Sequence, residues 1–390
     1  MFKFDNITKL YLTKFFLSLH FIGAVLIPFF MEWGRLTYMQ TMLLQSIFVI
    51  SVTLFEVPTG AVADHYGRRI SISIGIIVNI LGIIAYTIKP DFFIFVIAEI
   101  LWALAYALVS GADHALLYDT LKEEKKEKES KKILGKFGSI ELIGILIAAP
   151  IGSLIAQYFG IVWATKAMII PFFFSLLISF TIKEPKIKGK ENNYFDTLKS
   201  GLSYFKNNKK LKILVFDAVS IFSFSLLIIW TYQLLLKDFN IPIGYFGIIH
   251  AIAVLFEVII MNNFDNLEKM FGSKKKYILF SALVVGFSYL LLAFSTSIYL
   301  SIPLILIVFG IGITRMTLFT NYLNKFIESH HRATVLSTVS MFAKFGSGLL
   351  YPLVGFITEN YSLSLTFFSL GILVLISTTF SKVREDMLID

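Results

Sequence analysis

The stretch from Leu54 to Arg69 decides the fold, and it reads LFEVPTGAVADHYGRR. Its first four residues occur again at 255–258, 201 positions further along the chain. In both copies an aspartate, Asp64 or Asp265, follows eight residues after the glutamate. A repeat with a fixed offset indicates that the chain contains two related halves.

Two further matches support the duplication. At the same offset of 201, residues 111–119 align with residues 312–320 through a shared glycine, a leucine and an aromatic position. At an offset of 202, Pro150 aligns with Pro352. Three matches in the same order favour duplication of one six-helix unit.

The composition excludes a soluble protein. Of the 390 residues, 56% are hydrophobic and only 16% are charged, and the mean hydropathy is +0.77. A bilayer core about 30 Å thick needs about 20 apolar residues for each helix that crosses it. Apolar runs of about that length lie near 10–31, 38–62, 70–88, 91–118, 133–158, 161–182, 211–236, 241–263, 277–296, 298–322, 333–357 and 360–380.

These runs predict an all-α membrane protein with twelve transmembrane helices in two pseudo-symmetric six-helix bundles. The alternation expected of a membrane β-barrel is absent from the sequence, so helices must satisfy the backbone polar groups within lipid. The predicted N-terminal bundle is 1–182 and the predicted C-terminal bundle is 211–390. Residues 183–210 form a cytoplasmic linker.

The linker carries an amphipathic pattern. Its apolar residues share one helical face, which predicts a helix lying on the inner membrane surface; an unstructured tether is the alternative. The residues of this face are Tyr194, Phe195, Leu198, Leu202 and Phe205.

The distribution of lysine and arginine predicts the orientation. With both termini in the cytoplasm, 29 of the 35 cations lie on the inner side, as the positive-inside rule requires. Four of the others lie in outer loops and two within helices: Arg35, Lys89, Lys166, Lys237, Arg315 and Lys344. The net charge of +9 is then explained by topology and by attraction to anionic lipid, without nucleic-acid binding.

Residue patterns that would carry enzyme chemistry are absent from the sequence. The chain has no cysteine, which excludes disulfides and thiolate metal sites. No glycine-rich phosphate loop occurs, so direct ATP coupling is not expected. His330 and His331 are adjacent and do not share a helix face, so no metal site is predicted. We therefore predict neither a cofactor nor an enzyme activity, and the driving force must be a gradient.

The loop after the second run resembles a motif of the major facilitator superfamily. The family pattern is Gly, two residues, a small residue, Asp, two residues, Gly and two basic residues, and the segment from Gly60 to Arg69 meets it in full. The twelve runs and the long middle loop extend the resemblance over essentially the whole chain. It implies a transporter that works by alternating access.

The finer resemblance is to bacterial proton-coupled drug exporters, with two departures. Residues 58–60, 111–119 and 332–337 are similar to segments of such exporters. Exporters of this type usually carry an arginine within helix 4 and a Gly-Pro motif on helix 5. Here helix 4 has no arginine, and Ala149 precedes Pro150. The resemblance implies export by proton exchange, with these two departures from the pattern.

The loop motif predicts a conformational latch. Gly60 permits close helix approach, Gly67 allows a tight reversal, and Asp64 can face the positive N-terminal end of a neighbouring helix. The resemblance implies that this neighbour is helix 11, which starts near Arg332. Arginines that only set topology, with an aspartate that only caps, are the alternative. The full set of latch residues is Gly60, Asp64, Gly67, Arg68, Arg69 and Asp119.

Ionisable residues inside the predicted helices are candidates for function because a charge in lipid is costly. Glu99 and Glu141 are the candidates for proton coupling, and a permanent ion pair with Lys344 or Arg315 is the alternative. Six further residues are candidates for gates or ion pairs: Glu56, Asp113, Asp217, Glu257, Arg315 and Lys344.

In the resembled fold, helices 1, 4, 7 and 10 line a central cavity. This implies seven candidate substrate contacts: His20, Trp102, Tyr106, Ser223, Trp230, Gln233 and Thr314. Aromatic faces attract cations and carboxylates neutralise them, so such a lining suits amphipathic or cationic molecules.

We therefore expect a plasma-membrane transporter that exports such molecules in exchange for protons. In a Gram-negative cell this would be the inner membrane, and we expect the chain to act as a monomer among membrane lipids. The alternatives are uptake by proton or sodium symport, movement of a lipid between leaflets, and a sensor that transports nothing.

Overall fold

The structure is a computed structural model, and it describes residues 5–185, 203–328 and 332–388. Within these residues every regular element is a helix. The predicted linker face between 194 and 202 lies outside the described residues, as do His330 and His331. Residues 203–207 are helical.

Each of the twelve predicted apolar runs is helical in the structure. Ten described helices, α2 to α11, are long and apolar enough to cross a membrane, whereas α1 and α12 are shorter. The bounds are α1 Asn6–Leu17, α2 Tyr38–Tyr66, α3 Arg68–Ile88, α4 Phe92–Glu123, α5 Ser130–Phe159, α6 Ile161–Ser179, α7 Lys209–Asp238, α8 Phe246–Asn262, α9 Lys274–Ala293, α10 Ile298–Leu323, α11 Arg332–Asn360 and α12 Leu363–Thr379.

Polar side chains begin many of these helices. The Asp5 carboxylate accepts a hydrogen bond from the Thr8 backbone N–H at 2.8 Å, and Asn208 accepts one from Leu211 at 3.1 Å. These two caps start α1 and α7 and stand 203 positions apart. Asp91 begins α4, and hydrogen bonds from backbone N–H groups, that of Ile94 first, hold the pKa of its carboxyl below the usual value. Each cap satisfies amides that the first turn of a helix leaves unpaired.

The first predicted run is not one straight helix. The α-helix ends at Leu17, and a second apolar helix, Gly23–Trp33, follows after a break. Helix α5 packs closely against this break because two of its residues lack side chains. A Cβ on Gly144 would lie 2.5 Å from the Cβ of Ser18, and one on Gly152 would lie 1.7 Å from the Phe21 carbonyl oxygen. The close packing holds α1 and α5 side by side.

The chain separates into two compact units. The first is Met1–Glu191 together with Pro242–Ala251, and the second is Asn192–Ile241 together with Ile252–Asp390. The first unit contains a cluster of four aromatic rings, Phe29, Phe30, Tyr86 and Phe95, with centroids 5.5 to 6.1 Å apart. The second has a buried core that includes Leu211, Phe319 and Leu323.

Each unit contains a glutamate that accepts hydrogen bonds from backbone N–H groups at the start of its third helix. Glu184 follows α6 and accepts hydrogen bonds from the backbone N–H groups of Arg68 and Arg69, at 2.9 and 2.8 Å, where α3 begins. Glu385 follows α12 and accepts bonds from Lys274 and Lys275, both at 3.0 Å, where α9 begins. The two glutamates stand 201 positions apart, so these matching contacts support the duplication found in the sequence.

Candidate functional site

An ion cluster of Lys14, Asp113 and Glu141 lies within the first unit. The Lys14 ammonium on α1 is 3.2 Å from Asp113 Oδ2 on α4 and 2.9 Å from Glu141 Oε2 on α5. The side chain of Asp113 is 5% exposed, whereas that of Glu141 is 46% exposed. The ammonium of Lys14 on α1 thus contacts a buried carboxylate on α4 and a half-exposed carboxylate on α5.

Two members of the cluster, Lys14 and Glu141, line a cavity of about 280 Å³. The residues around this cavity come from the first five helices and the break after α1: Lys14, Leu17, Ser18, His20, Phe48, Asn79, Trp102, Ala105, Tyr106, Val109, Ser110, His114, Glu141 and Ile145. The ring of Phe137 lies 5.3 Å from the Lys14 ammonium, within the range of a cation–π contact. The cavity thus combines charges with aromatic surface.

Three of the predicted substrate contacts line this cavity. His20, Trp102 and Tyr106 are all part of its wall, and the His20 ring meets the Trp102 ring edge-on at a centroid distance of 5.8 Å. Tyr106 is 48% exposed. This cavity lies within the first unit, and the predicted contact of the three residues with a substrate stays a prediction.

Lys14 was not among the predicted site residues. In the sequence it was counted with the inner cations, whereas the structure places it in the last turn of α1 with only 15% of its side chain exposed. The signal was present because Lys14 directly precedes the apolar residues Phe15, Phe16 and Leu17. The run was assigned from residue 10 onward, and the lysine was taken as part of its inner end.

Glu99 is not part of the ion cluster. It is 2% exposed on α4, and its Oε1 accepts a hydrogen bond from Gln45 Nε2 on α2 at 3.2 Å. No ion pair of Glu99 is found among the described residues. The carboxyl points into the unit rather than toward lipid, so it remains a candidate for proton binding. The other candidate for proton coupling, Glu141, forms an ion pair with Lys14.

The second unit contains a different ion pair, between two predicted gate residues. Arg315 on α10 pairs with Asp217 on α7, and their side chains are 1% and 2% exposed. The guanidinium also donates to the Ile278 carbonyl at 2.8 Å and to the Ser281 hydroxyl, both on α9. The pair is therefore closed off from solvent and completed by neutral groups.

The latch residues divide into two groups. Arg68 pairs with Asp119 and also donates to the Ala115 carbonyl oxygen at 2.8 Å, so the start of α3 is held to the end of α4. Asp64 is exposed at the end of α2. Gly67 has φ +102°, which confirms the predicted reversal. The close approach predicted at Gly60 is wrong, because a Cβ there would meet nothing within 4 Å.

Arg69 makes two contacts with the segment after α6. Its backbone N–H donates to the Glu184 carboxylate, as described above. Its guanidinium Nη1 donates to the Ile182 carbonyl oxygen at 3.4 Å. The contact joins the loop motif to the segment after α6. Glu184 itself was missed in the sequence because it lies in the predicted linker, far from the motif that it completes.

The remaining candidates lie at separate places in the structure. Glu56, Glu257 and Lys344 are half-buried on α2, α8 and α11. In the second unit, Ser223, Gln233 and Thr314 are buried, and the latter two donate to carbonyl oxygens of their own helices. Trp230 lies edge-on to Tyr351 with a centroid distance of 6.4 Å. Their roles as gates or substrate contacts stay predictions.

Comparison with known sequences identifies the family. The profile of the Major Facilitator Superfamily matches residues 11–321 and 218–386, so this chain belongs to that superfamily and is a multi-pass membrane protein. An uncharacterized MFS-type transporter, YxaM of Bacillus subtilis (strain 168), is 25% identical over 354 residues, which cover 87% of this chain and 86% of that protein. An uncharacterized transporter, BU466 of Buchnera aphidicola subsp. Acyrthosiphon pisum (strain APS), is 26% identical over 300 residues, which cover 73% and 70% of the two chains.

Solved structures share the fold. A crystal structure of the nucleoside transporter NupG aligns with a TM-score of 0.81 at 15% identity and covers 98% of this chain and 100% of that one. A D-xylose-proton symporter aligns with a TM-score of 0.72 at 15% identity and covers 97% of each chain. These similarities confirm the predicted major facilitator fold.

Proposed function

We propose that this chain is a secondary active transporter that exports small amphipathic or cationic molecules in exchange for protons by alternating access. One observation carries the proposal. In the first unit a half-exposed carboxylate, Glu141, shares its ammonium partner with a buried carboxylate, Asp113, at the wall of a cavity with aromatic residues. Ionisable groups inside a membrane protein that face such a cavity mark ion or substrate pathways.

In this proposal the proton and the cationic substrate bind the same carboxylate, that of Glu141. Binding of one therefore requires release of the other. Glu141 can be neutralised by a bound proton or by the positive charge of a substrate. If the substrate replaces the proton, the charge of the cluster does not change. The same group therefore releases a proton when the cation binds and releases the cation when a proton returns.

The test is transport into liposomes with an imposed pH gradient. We expect the wild-type protein to move 1-methyl-4-phenylpyridinium, a permanent monovalent cation, against a proton flux. Glu141→Gln should reduce this exchange at least tenfold. Glu129→Gln, a matched change at an exposed position in the loop before α5, should leave it unchanged. Full exchange by Glu141→Gln would reject the proposed site.

Two further residues test the predicted roles in the same assay. Glu99→Gln should abolish proton coupling if this buried carboxyl carries the proton, while substrate binding persists. Asp64→Asn should slow transport and spare folding if Asp64 belongs to the latch. A variant with the full wild-type rate would remove its residue from the mechanism.

Proton-coupled uptake is the second candidate function. It is favoured by the similarity of the fold to a D-xylose-proton symporter. In the liposome assay a symporter moves substrate along with the proton flux, whereas an exchanger moves it against that flux.

We also propose a plasma-membrane location with both termini in the cytoplasm, and a monomer that works among membrane lipids.

A further inference from the structure

The ion cluster is short of one positive charge. Lys14 carries one positive charge, and Asp113 and Glu141 carry two negative charges between them when ionised. Both carboxylates lie within 3.2 Å of the single ammonium. Asp113 also accepts a hydrogen bond from the His114 backbone N–H at 2.6 Å, so the buried carboxylate has a second donor. Glu141 is the member with the most exposure, and it has room for another partner.

The cavity that Glu141 lines also contains polar atoms without hydrogen-bond partners among the described residues. Two residues that line this cavity each carry a buried polar atom, Oδ1 of Asn79 and Nε1 of Trp102. Neither atom has a hydrogen-bond partner in the described parts of the chain. A buried polar atom without a partner is costly, and such atoms are rare in folded proteins. An unpaired acceptor and an unpaired donor in the same cavity as a cluster with excess negative charge point to a ligand.

We propose that Glu141 binds the positive group of a monovalent organic cation and that Lys14 is a tethered competitor for the same carboxylate. When neither a proton nor a substrate is bound to Glu141, the Lys14 ammonium holds this carboxylate. When the substrate arrives, its cation takes over Glu141, and Lys14 stays with Asp113. The inference rests on the proposed transport function and names its substrate class: monovalent cations with a small aromatic body.

The exchange is favourable because it leaves no charge without a partner. Removing one partner from a buried ion pair is strongly destabilising, whereas the replacement of one cation by another keeps every carboxylate paired. The aromatic rings of Trp102 and Tyr106 line the same cavity and can contact the ring of the substrate. Lys14 thereby lowers the affinity for the substrate and makes its release easier.

The test is equilibrium binding of 1-methyl-4-phenylpyridinium to the purified full-length protein in detergent at one fixed pH. We expect Lys14→Met to bind about tenfold tighter, which corresponds to a lysine that occupies Glu141 about nine-tenths of the time. Glu141→Gln should bind at least tenfold weaker. Two controls accompany these variants. Lys136→Met, which removes another lysine on α5, the helix of Glu141, should bind the cation as the wild type does. The neutral analogue 4-phenylpyridine should bind equally to wild type and Lys14→Met.

A second variant covers the case in which Lys14→Met does not fold. Lys14→Met combined with Asp113→Asn removes both the lysine and its buried partner, and it should also bind about tenfold tighter than the wild type. Unchanged or weaker binding by this double variant would overturn the competitor role, and so would a lack of binding by both wild type and variant.

The two proposals fail in different measurements. A wild-type protein that does not exchange this cation for protons in liposomes contradicts the proposed function. A wild-type protein that does exchange it, while the lysine variants bind no tighter, contradicts only the role of Lys14.

Discussion

The two units each contain an ion pair between their first and fourth helices, and the two pairs have opposite polarity. In the first unit the cation Lys14 is on α1 and the acid Asp113 is on α4. In the second unit the acid Asp217 is on α7 and the cation Arg315 is on α10. The offsets are 203 and 202 positions, which is close to the offset of the sequence repeat.

The surroundings of the two pairs differ more than their positions do. Arg315 is completed by a carbonyl and a hydroxyl, and both members of its pair are at most 2% exposed. Lys14 instead has a second carboxylate, Glu141, which is 46% exposed. A closed pair holds helices in register, whereas a shared ammonium leaves a charge that can be exchanged. The duplication thus supplied two equivalent positions, and we infer that only the first unit uses its position for exchange.

The largest expected effect comes from breaking the closed pair. Asp217→Asn leaves the guanidinium of Arg315 buried without a counter-charge, and we expect it to reduce the free energy of unfolding by about 3–5 kcal/mol. Unfolding in a titration with dodecyl sulfate measures this loss. Asp113→Asn in the first unit is the matched change, and it should have a smaller effect because Lys14 retains Glu141. Equal losses in the two units would show that the pairs do the same work.

The next effect concerns polarity in the first unit. Lys14→Asp combined with Asp113→Lys gives this pair the polarity of the second unit and moves the ammonium from α1 to α4. We expect transport to fall by about 100-fold, because a small displacement of a binding group can cost that much. Lys14→Arg keeps the polarity and should lose much less. If the exchanged pair transports normally, then the position of the cation in this cluster is irrelevant to transport.

A smaller effect compares the two turns that precede α3 and α9. Gly67 has φ +102°, and a Cβ there would lie 3.3 Å from the Glu184 carboxyl carbon. Gly272 has φ +64°, and a Cβ there would meet nothing within 4 Å. We expect Gly67→Ala to cost about 2 kcal/mol of stability and Gly272→Ala about 1 kcal/mol. Thermal unfolding in detergent measures both, and a larger cost at Gly272 would contradict this ranking.

The smallest effect concerns the carboxylate after α12. Burial raises the pKa of Glu385, but hydrogen bonds from Ser273 and from the backbone of Lys275 and Lys274 outweigh it, so the pKa lies below its usual 4.5. A lowered pKa adds stability above pH 4.5, and this stability is lost as the pH falls through the folded pKa. Glu385→Gln should therefore cost about 0.5 kcal/mol at neutral pH.

Unfolding at neutral and acidic pH tests this sign. The difference between wild type and Glu385→Gln should disappear as the carboxyl becomes protonated. Glu184→Gln should produce a similar loss in the first unit, and the two losses should add because the sites share no partner. A difference that grows on acidification would contradict the assignment of the cap.

Much of the fold was predictable because the bilayer imposes a simple length rule. The twelve apolar runs became helices, and Gly67 was recognised from its place between two of them. Periodicity could not show the break after Leu17, because the residues on both sides of it are apolar. The break depends on how closely α5 approaches, which is a property of packing rather than of the local sequence.

The site was only partly predictable. Asp113 and Glu141 were found because acids inside apolar runs are conspicuous, but Lys14 lies eight residues after the start of α1 and was counted among the cations of the inner side. Its partners lie 99 and 127 positions away, so no local pattern connects the three residues. Asp217 and Arg315 were both candidates, and their direct contact became visible only in three dimensions.

The paired carboxylates Glu184 and Glu385 bear on the history of the molecule. Each glutamate accepts backbone hydrogen bonds at the start of the equivalent helix, and the two stand 201 positions apart. We infer that this contact already existed in a half-length ancestor, before the gene was duplicated. The charges near the middle of each unit diverged afterwards, since their signs are now reversed. We infer that the two copies kept this anchor and specialised elsewhere after the duplication.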